Sequence, residues 1–154
     1  MPMIKVTNFG KMVLMSWMIF AFLSAVFAAM TAILAKIGVK DVNSNLATGI
    51  RTIVILLFAW GIIFFQGIHK EISSISKFSL FFLILSGVAT GLSWLFYFRA
   101  LQLGDASKVA PIDKLSLVFT IILAGLILKE KISLQIFLGV LLMSIGAIVI
   151  GFAK

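Results

Sequence analysis

Between Lys11 and Lys36 the chain runs for 24 residues without a charge, Met12 to Ala35, and that run dictates the medium in which the protein folds. An α-helix rises about 1.5 Å per residue and bilayer hydrocarbon is roughly 30 Å thick, so about 20 apolar residues cross it. Two further runs have this size: Phe78–Phe98, 21 residues between Lys77 and Arg99, and Ile132–Ala153, 22 residues between Lys131 and Lys154. Hydrophobic residues make up 62% of the sequence and charged residues 12%, against roughly 25% charged in an ordinary soluble domain. Too few polar groups remain to clothe a surface in water. The first run is also longer than the roughly 7–15 apolar residues of a secretory signal, so MPMIKVTNFG reads as a short tail rather than a leader.

Two more apolar stretches fall short of the bilayer. Seventeen residues separate Arg51 from His69, about 26 Å of helix, and 14 separate Lys114 from Lys129, about 21 Å. Span two must therefore start near Leu46 and carry Arg51. Span four must start near Val109 or Pro111 and carry Asp113 and Lys114 in its first turns. The connections, Gly38–Asn45, His69–Lys77, Leu103–Lys108 and Lys129–Lys131, are too short for a soluble domain and make neighbouring helices antiparallel. The fold class is an all-α membrane protein, a bundle of five transmembrane helices in which each helix satisfies its own backbone.

The chain contains no cysteine, one histidine (His69) and five acidic residues. Disulfides, thiolate metal sites and Cys nucleophiles are excluded, and a metal cluster or a Ser-His-Asp triad has almost no raw material. No metal, no cofactor and no enzyme activity are expected. The net charge of +8 comes from Lys and Arg placed singly at the ends of apolar runs, which suits anionic lipid headgroups and not nucleic acid. An odd number of spans puts the termini on opposite sides. One side then holds Lys5, Lys11, Lys70, Lys77, Lys129 and Lys131, the other Lys36, Lys40, Arg51, Arg99, Lys108 and Lys154. The positive-inside rule works on an imbalance, and six against six supplies none. Either other features set the orientation, or the chain inserts both ways and opposite copies pair.

Polar residues at helical spacing mark two candidate inner faces. In span three, Thr90, Trp94, Tyr97 and Leu101 share one side. Trp94 and Tyr97 suit either an interfacial aromatic belt or the wall of a central cavity. In span four, Asp113, Ser116 and Thr120 lie at i, i+3 and i+7. Asp113 suits either a first-turn helix cap or, if the helix starts before Val109 and Pro111 is a kink, a deeper site paired with Arg51, Arg99 or Lys114. Lys114, Arg51 and Lys36 have the reach to snorkel to the headgroups, and Lys36 fits that role best. His69, beside Lys70 and Glu71, reads as part of a solvated loop. Gly87 and Gly91 form a GxxxG pair for close helix packing, echoed by Ala147 with Gly151 and by Ser24, Ala28 and Ala32.

The segment SWLFYFRALQLGDASKVAPIDKLSLVFTIILAGLILKEKIS, Ser93 to Ser133, resembles the EamA domain of the drug/metabolite transporter superfamily. The carriers of the resemblance are the aromatic end of the third helix (Tyr97–Ala100), the turn Leu101–Ser107, the early Pro111, the turn Leu128–Glu130, and Gly139 with Gly146 in the last helix. Leu34–Thr52 looks like the short single-domain branch of the same family. The resemblance implies a tail at residues 1–11 and one EamA-like domain over 12–154, with helices at about 12–36, 46–68, 78–101, 109–128 and 132–153. It implies a multi-pass transporter or exporter of small metabolites in the inner or plasma membrane, working by alternating access. Larger relatives carry two such domains in opposite orientation, so a single domain implies a homodimer, possibly antiparallel with dual topology. Span one lacks the acidic residue with which the four-helix multidrug branch trades protons for cationic drugs. The substrate is therefore expected to be anionic or zwitterionic, met by Arg51, Thr90, Trp94, Tyr97, Asp113, Lys114, Ser116 and Thr120. A flippase or flippase subunit for a lipid-linked anionic substrate and a non-transporting accessory protein are the alternatives.

Overall fold

The structure is a computed structural model that describes residues 4–153, with side chains from Trp17 onward. It is all helical: α1 (Ile4–Gly38), α2 (Ser44–Gln66), a 3₁₀ turn (Ile68–Ser74), α3 (Lys77–Leu103), α4 (Ala106–Asp113), α5 (Ser116–Ile127) and α6 (Leu134–Gly151). Five spans are long and apolar enough to cross a bilayer, with α4 and α5 together forming the fourth. Residues 4–11, expected as tail, continue the first helix. The chain has two prolines, Pro2 and Pro111, so nothing in this stretch removes a helical N–H.

The helix ends follow local chemistry. Asn43 caps α2 by accepting hydrogen bonds from the N–H groups of Asn45 at 2.9 Å and Leu46 at 3.4 Å. Ser76 caps α3 through Ser79 N at 3.0 Å, and Ser133 caps α6 through Ile136 N at 3.3 Å. Gly67, at φ 72°, closes α2 in the left-handed conformation that glycine adopts without steric cost. His69 is half-buried, with its ring 5.3 Å from that of Phe64, so the expected solvated loop is instead a 3₁₀ turn folded back on α2.

The fourth span departs most from expectation. Its helix starts at Ala106, ahead of Val109, and Pro111 lies inside α4. Proline has no N–H to give the carbonyl of Ser107, four residues back. Beyond it the backbone tightens: Lys114 N donates to Pro111 O, Leu115 N to Ile112 O and Leu117 N to Lys114 O, each at 3.0 Å. These i→i+3 bonds separate α4 from α5. Asp113 is thus the last residue of α4, which replaces its expected place as a first-turn cap.

The buried core sits at one end of the bundle, where α1, α3 and α6 finish and α2 and α4 begin. Val39, Phe98 and Leu101 are 1%, 0% and 0% exposed, and Ala35 completes their cluster. Trp94, Tyr97, Ala47, Ala106 and Val109 pack around it. Polar cross-links staple the same end. Lys36 Nζ donates to Leu101 O and Gly104 O, both at 2.7 Å. Gln102 Nε2 donates to Val39 O at 3.2 Å and Val42 O at 3.0 Å, and Lys108 Nζ donates to Ala153 O at 2.6 Å. Lys36 therefore turns inward, in correction of its expected snorkelling. The last carbonyls of α3 lack intrahelical donors, and an ammonium satisfies them. α4 packs on α6 and α2 on α3, while α1 touches α3 and α4.

Candidate functional site

Three charged side chains meet one cavity in this apolar bundle. The cavity has a volume of about 650 Å³ and lies between α1, α2, α3 and the α4–α5 joint. Arg51 enters from α2, Trp94 and Tyr97 from α3, and Asp113 and Lys114 from the joint. Phe27, Ile55 and Phe58 supply apolar wall, and Ser24, Thr31 and Ser93 supply hydroxyls. A volume of this order suits a small metabolite.

Arg51 is held by aromatic faces. Its guanidinium carbon lies 4.4 Å from the ring centre of Phe98 and 5.2 Å from that of Trp94. Trp94 and Phe98 are four residues apart on α3, so both rings stand on one ridge. Contacts of this kind contribute about 0.5–2 kcal/mol and hold the charge without using its N–H donors. Asp113 takes Lys114 Nζ at 3.2 Å, the single ion pair among the described residues. The expected pairing of Asp113 with Arg51 or Arg99 is not made. Arg51 shares the cavity with it but stands on the rings, and Arg99 donates to Gln102 Oε1 at 2.6 Å.

Five of the eight residues proposed from sequence, Arg51, Trp94, Tyr97, Asp113 and Lys114, line this cavity. Thr90, Ser116 and Thr120 lie outside its lining. Thr90 Oγ1 donates to Ser86 O and Thr120 Oγ1 to Ser116 O, both at 2.9 Å, which satisfies these hydroxyls within their own helices. A Cβ added at Gly87 or Gly91 would meet nothing within 4 Å, so the GxxxG pair makes no close approach inside the chain. Gly151 is different: a Cβ there would come within 2.5 Å of Ile112 Cδ1, and α4 and α6 touch at this point. Phe98 was missed from sequence, although it stands one helical turn beyond Trp94 and shares its face.

A second cavity of about 530 Å³ lies between α3, α4 and α6, with Asp105, Lys108 and Ile112 in its lining. Ser93, Tyr97 and Asp113 line both cavities and form the wall they share.

Residues 15–152 match the EamA-like transporter family. A protein of Sinorhizobium sp, named as an uncharacterized transporter in the cobO 3' region, is 50% identical over 135 residues, covering 88% of this chain and 96% of that relative. No solved structure matches the chain. A family match over almost the whole length, on five apolar helices that gather their few charges around one cavity, makes this chain a multi-pass membrane protein of the EamA-like transporter family.

Proposed function

We propose that the chain carries small metabolites across the inner or plasma membrane by alternating access, as a homodimer of five-helix units. The observation that carries this reading is the convergence of Arg51, Asp113 and Lys114 on a cavity of about 650 Å³. Ionisable groups at depth in a membrane protein are costly and cluster on substrate pathways. The excess of basic over acidic side chains favours an anionic or zwitterionic substrate. Trp94 and Tyr97 serve its apolar part, and Asp113 with Lys114 handles charge at the helix joint. Thr90, Ser116 and Thr120 have a weaker claim, since they lie outside the cavity.

A dimer is favoured by the open face at Gly87 and Gly91, where a second copy can approach closely. The even division of basic residues favours an antiparallel pair. The test is flux through proteoliposomes loaded with a cell metabolite extract and followed by mass spectrometry. Selective loss of a few solutes, reduced at least about tenfold by Asp113→Asn, is expected, a loss of about 1.4 kcal/mol in stabilisation. Loss equal to protein-free vesicles sinks the transport reading, and unchanged flux in Asp113→Asn removes that residue from the site.

One observation favours a flippase as second reading. The cavity between α3 and α6 shares a wall with the central one and is lined by the exposed Phe96, so an amphiphile can reach Tyr97 and Asp113 from the side. Movement of a fluorescent lipid phosphate between leaflets, with no loss of soluble metabolites, would select it. The cavities weigh against a purely accessory role.

A further inference from the structure

The titratable side chains of the central cavity are Arg51, Tyr97, Asp113 and Lys114. Asp113 and Lys114 pair at 3.2 Å and cancel, and a tyrosine hydroxyl is neutral near pH 7. Each unit therefore presents one uncompensated positive charge to the cavity, that of Arg51. Its position is held by Phe98, which is 0% exposed, and by half-buried Trp94, so the cation rests on a rigid platform. A guanidinium carries five N–H donors around its edge. Among the described residues none accepts a hydrogen bond from Arg51, while the aromatic contacts take only its face. A charged fork with its ring contacts made and its donors unused is shaped for a planar oxyanion, which it binds through two parallel hydrogen bonds.

We infer that Arg51 is the recognition point for the carboxylate of an organic monoanion whose apolar body lies along Phe27, Ile55, Phe58 and Trp94. The inference rests on the reading of this cavity as a substrate site and narrows its substrate. Charge decides among ligands. A carboxylate neutralises one guanidinium. A phosphate monoester brings about −1.5 to −2 at neutral pH and leaves excess negative charge where water is scarce. A zwitterion's ammonium finds Asp113 already engaged by Lys114. A cation meets Arg51 unfavourably. The apolar wall adds affinity for an alkyl or aryl body at about 25 cal/mol for each Å² removed from water.

The test is calorimetric titration of the purified full chain in lipid nanodiscs with a matched series: 3-phenylpropanoate, 3-phenylpropanamide, 3-phenylpropylamine, phenylalanine and 3-phenylpropyl phosphate. The carboxylate is expected to bind at least about tenfold more tightly than every other member, the equivalent of about 1.4 kcal/mol. Arg51→Gln should abolish that preference. Arg51→Lys should recover part of it, since an ammonium keeps the charge but lacks the fork. Equal binding of acid and amide by the unmodified chain overturns the inference without any variant. So do tighter binding of the amine, the zwitterion or the phosphate, and a lack of heat with the carboxylate. Carboxylate binding without vesicle flux leaves Arg51's role standing and removes the transport reading. Selective flux without carboxylate binding does the reverse.

Discussion

Single side chains here act mainly on backbone left unsatisfied by helix ends. Lys36 reaches across 65 residues of sequence to the last carbonyls of α3, and Gln102 returns the favour to Val39 and Val42 at the end of α1. In lipid no solvent replaces such partners. Lys36→Met keeps the length of the side chain and strips its donors, leaving Leu101 O and Gly104 O without a partner from α1. It is expected to cost about 1–3 kcal/mol, read as a lowered midpoint in denaturant unfolding followed by tryptophan fluorescence. An unchanged midpoint would show that the ammonium adds nothing beyond its apolar stem. Arg51 is the opposite case, a cation whose donors the fold leaves unused. What separates the two is the group each meets: Lys36 finds carbonyls, whereas Arg51 finds rings.

At the scale of helices, the closest contact is between α4 and α6. Gly151 lies against Ile112, so Gly151→Leu should force these helices apart and lower stability by about 1–3 kcal/mol, whereas Gly87→Leu, with open space around it, should leave the monomer's melting unchanged. Equal losses at the two positions would contradict this packing. The five spans were legible in the sequence because an uncharged run of bilayer length admits little besides a crossing helix, and the 17- and 14-residue shortfalls of spans two and four correctly drew Arg51 and Asp113 into the bundle. The division of span four was not legible. Pro111 signals a lost hydrogen bond, but the i→i+3 bonds that end α4 lie three residues further on. The helical stripe drawn through Asp113, Ser116 and Thr120 assumed one continuous helix, and the joint after Asp113 breaks that register, so Ser116 and Thr120 leave the cavity. The contacts of Lys36 had no local signal, since their partners are backbone atoms far along the chain.

Across the whole molecule, packing is concentrated at one end. The buried core and the cross-links from Lys36, Gln102 and Lys108 all gather there, and the cavity opens alongside them. A unit stapled at one end has a natural pivot, and two units in opposite orientation would place one pivot at each face of the membrane, as alternation between two open states requires. The proposal of dual topology makes this testable, because topology follows basic residues near span ends. Asp41→Lys with Asn45→Lys loads one side, and Glu71→Lys with Ser74→Lys loads the other. All four residues are exposed and lie outside the cavity, so the substitutions should bias insertion and spare the site. Each locked form alone should lose most of the flux, and co-expression of the two should restore it. Because the chain has no cysteine, a single one introduced at Lys70 reports orientation directly: an impermeant maleimide should label about half of the unbiased protein in intact cells, and nearly all or none of each locked form. Full flux from one locked form, with labelling confirming a single orientation, would eliminate the antiparallel pair and leave a parallel assembly to enclose the cavity.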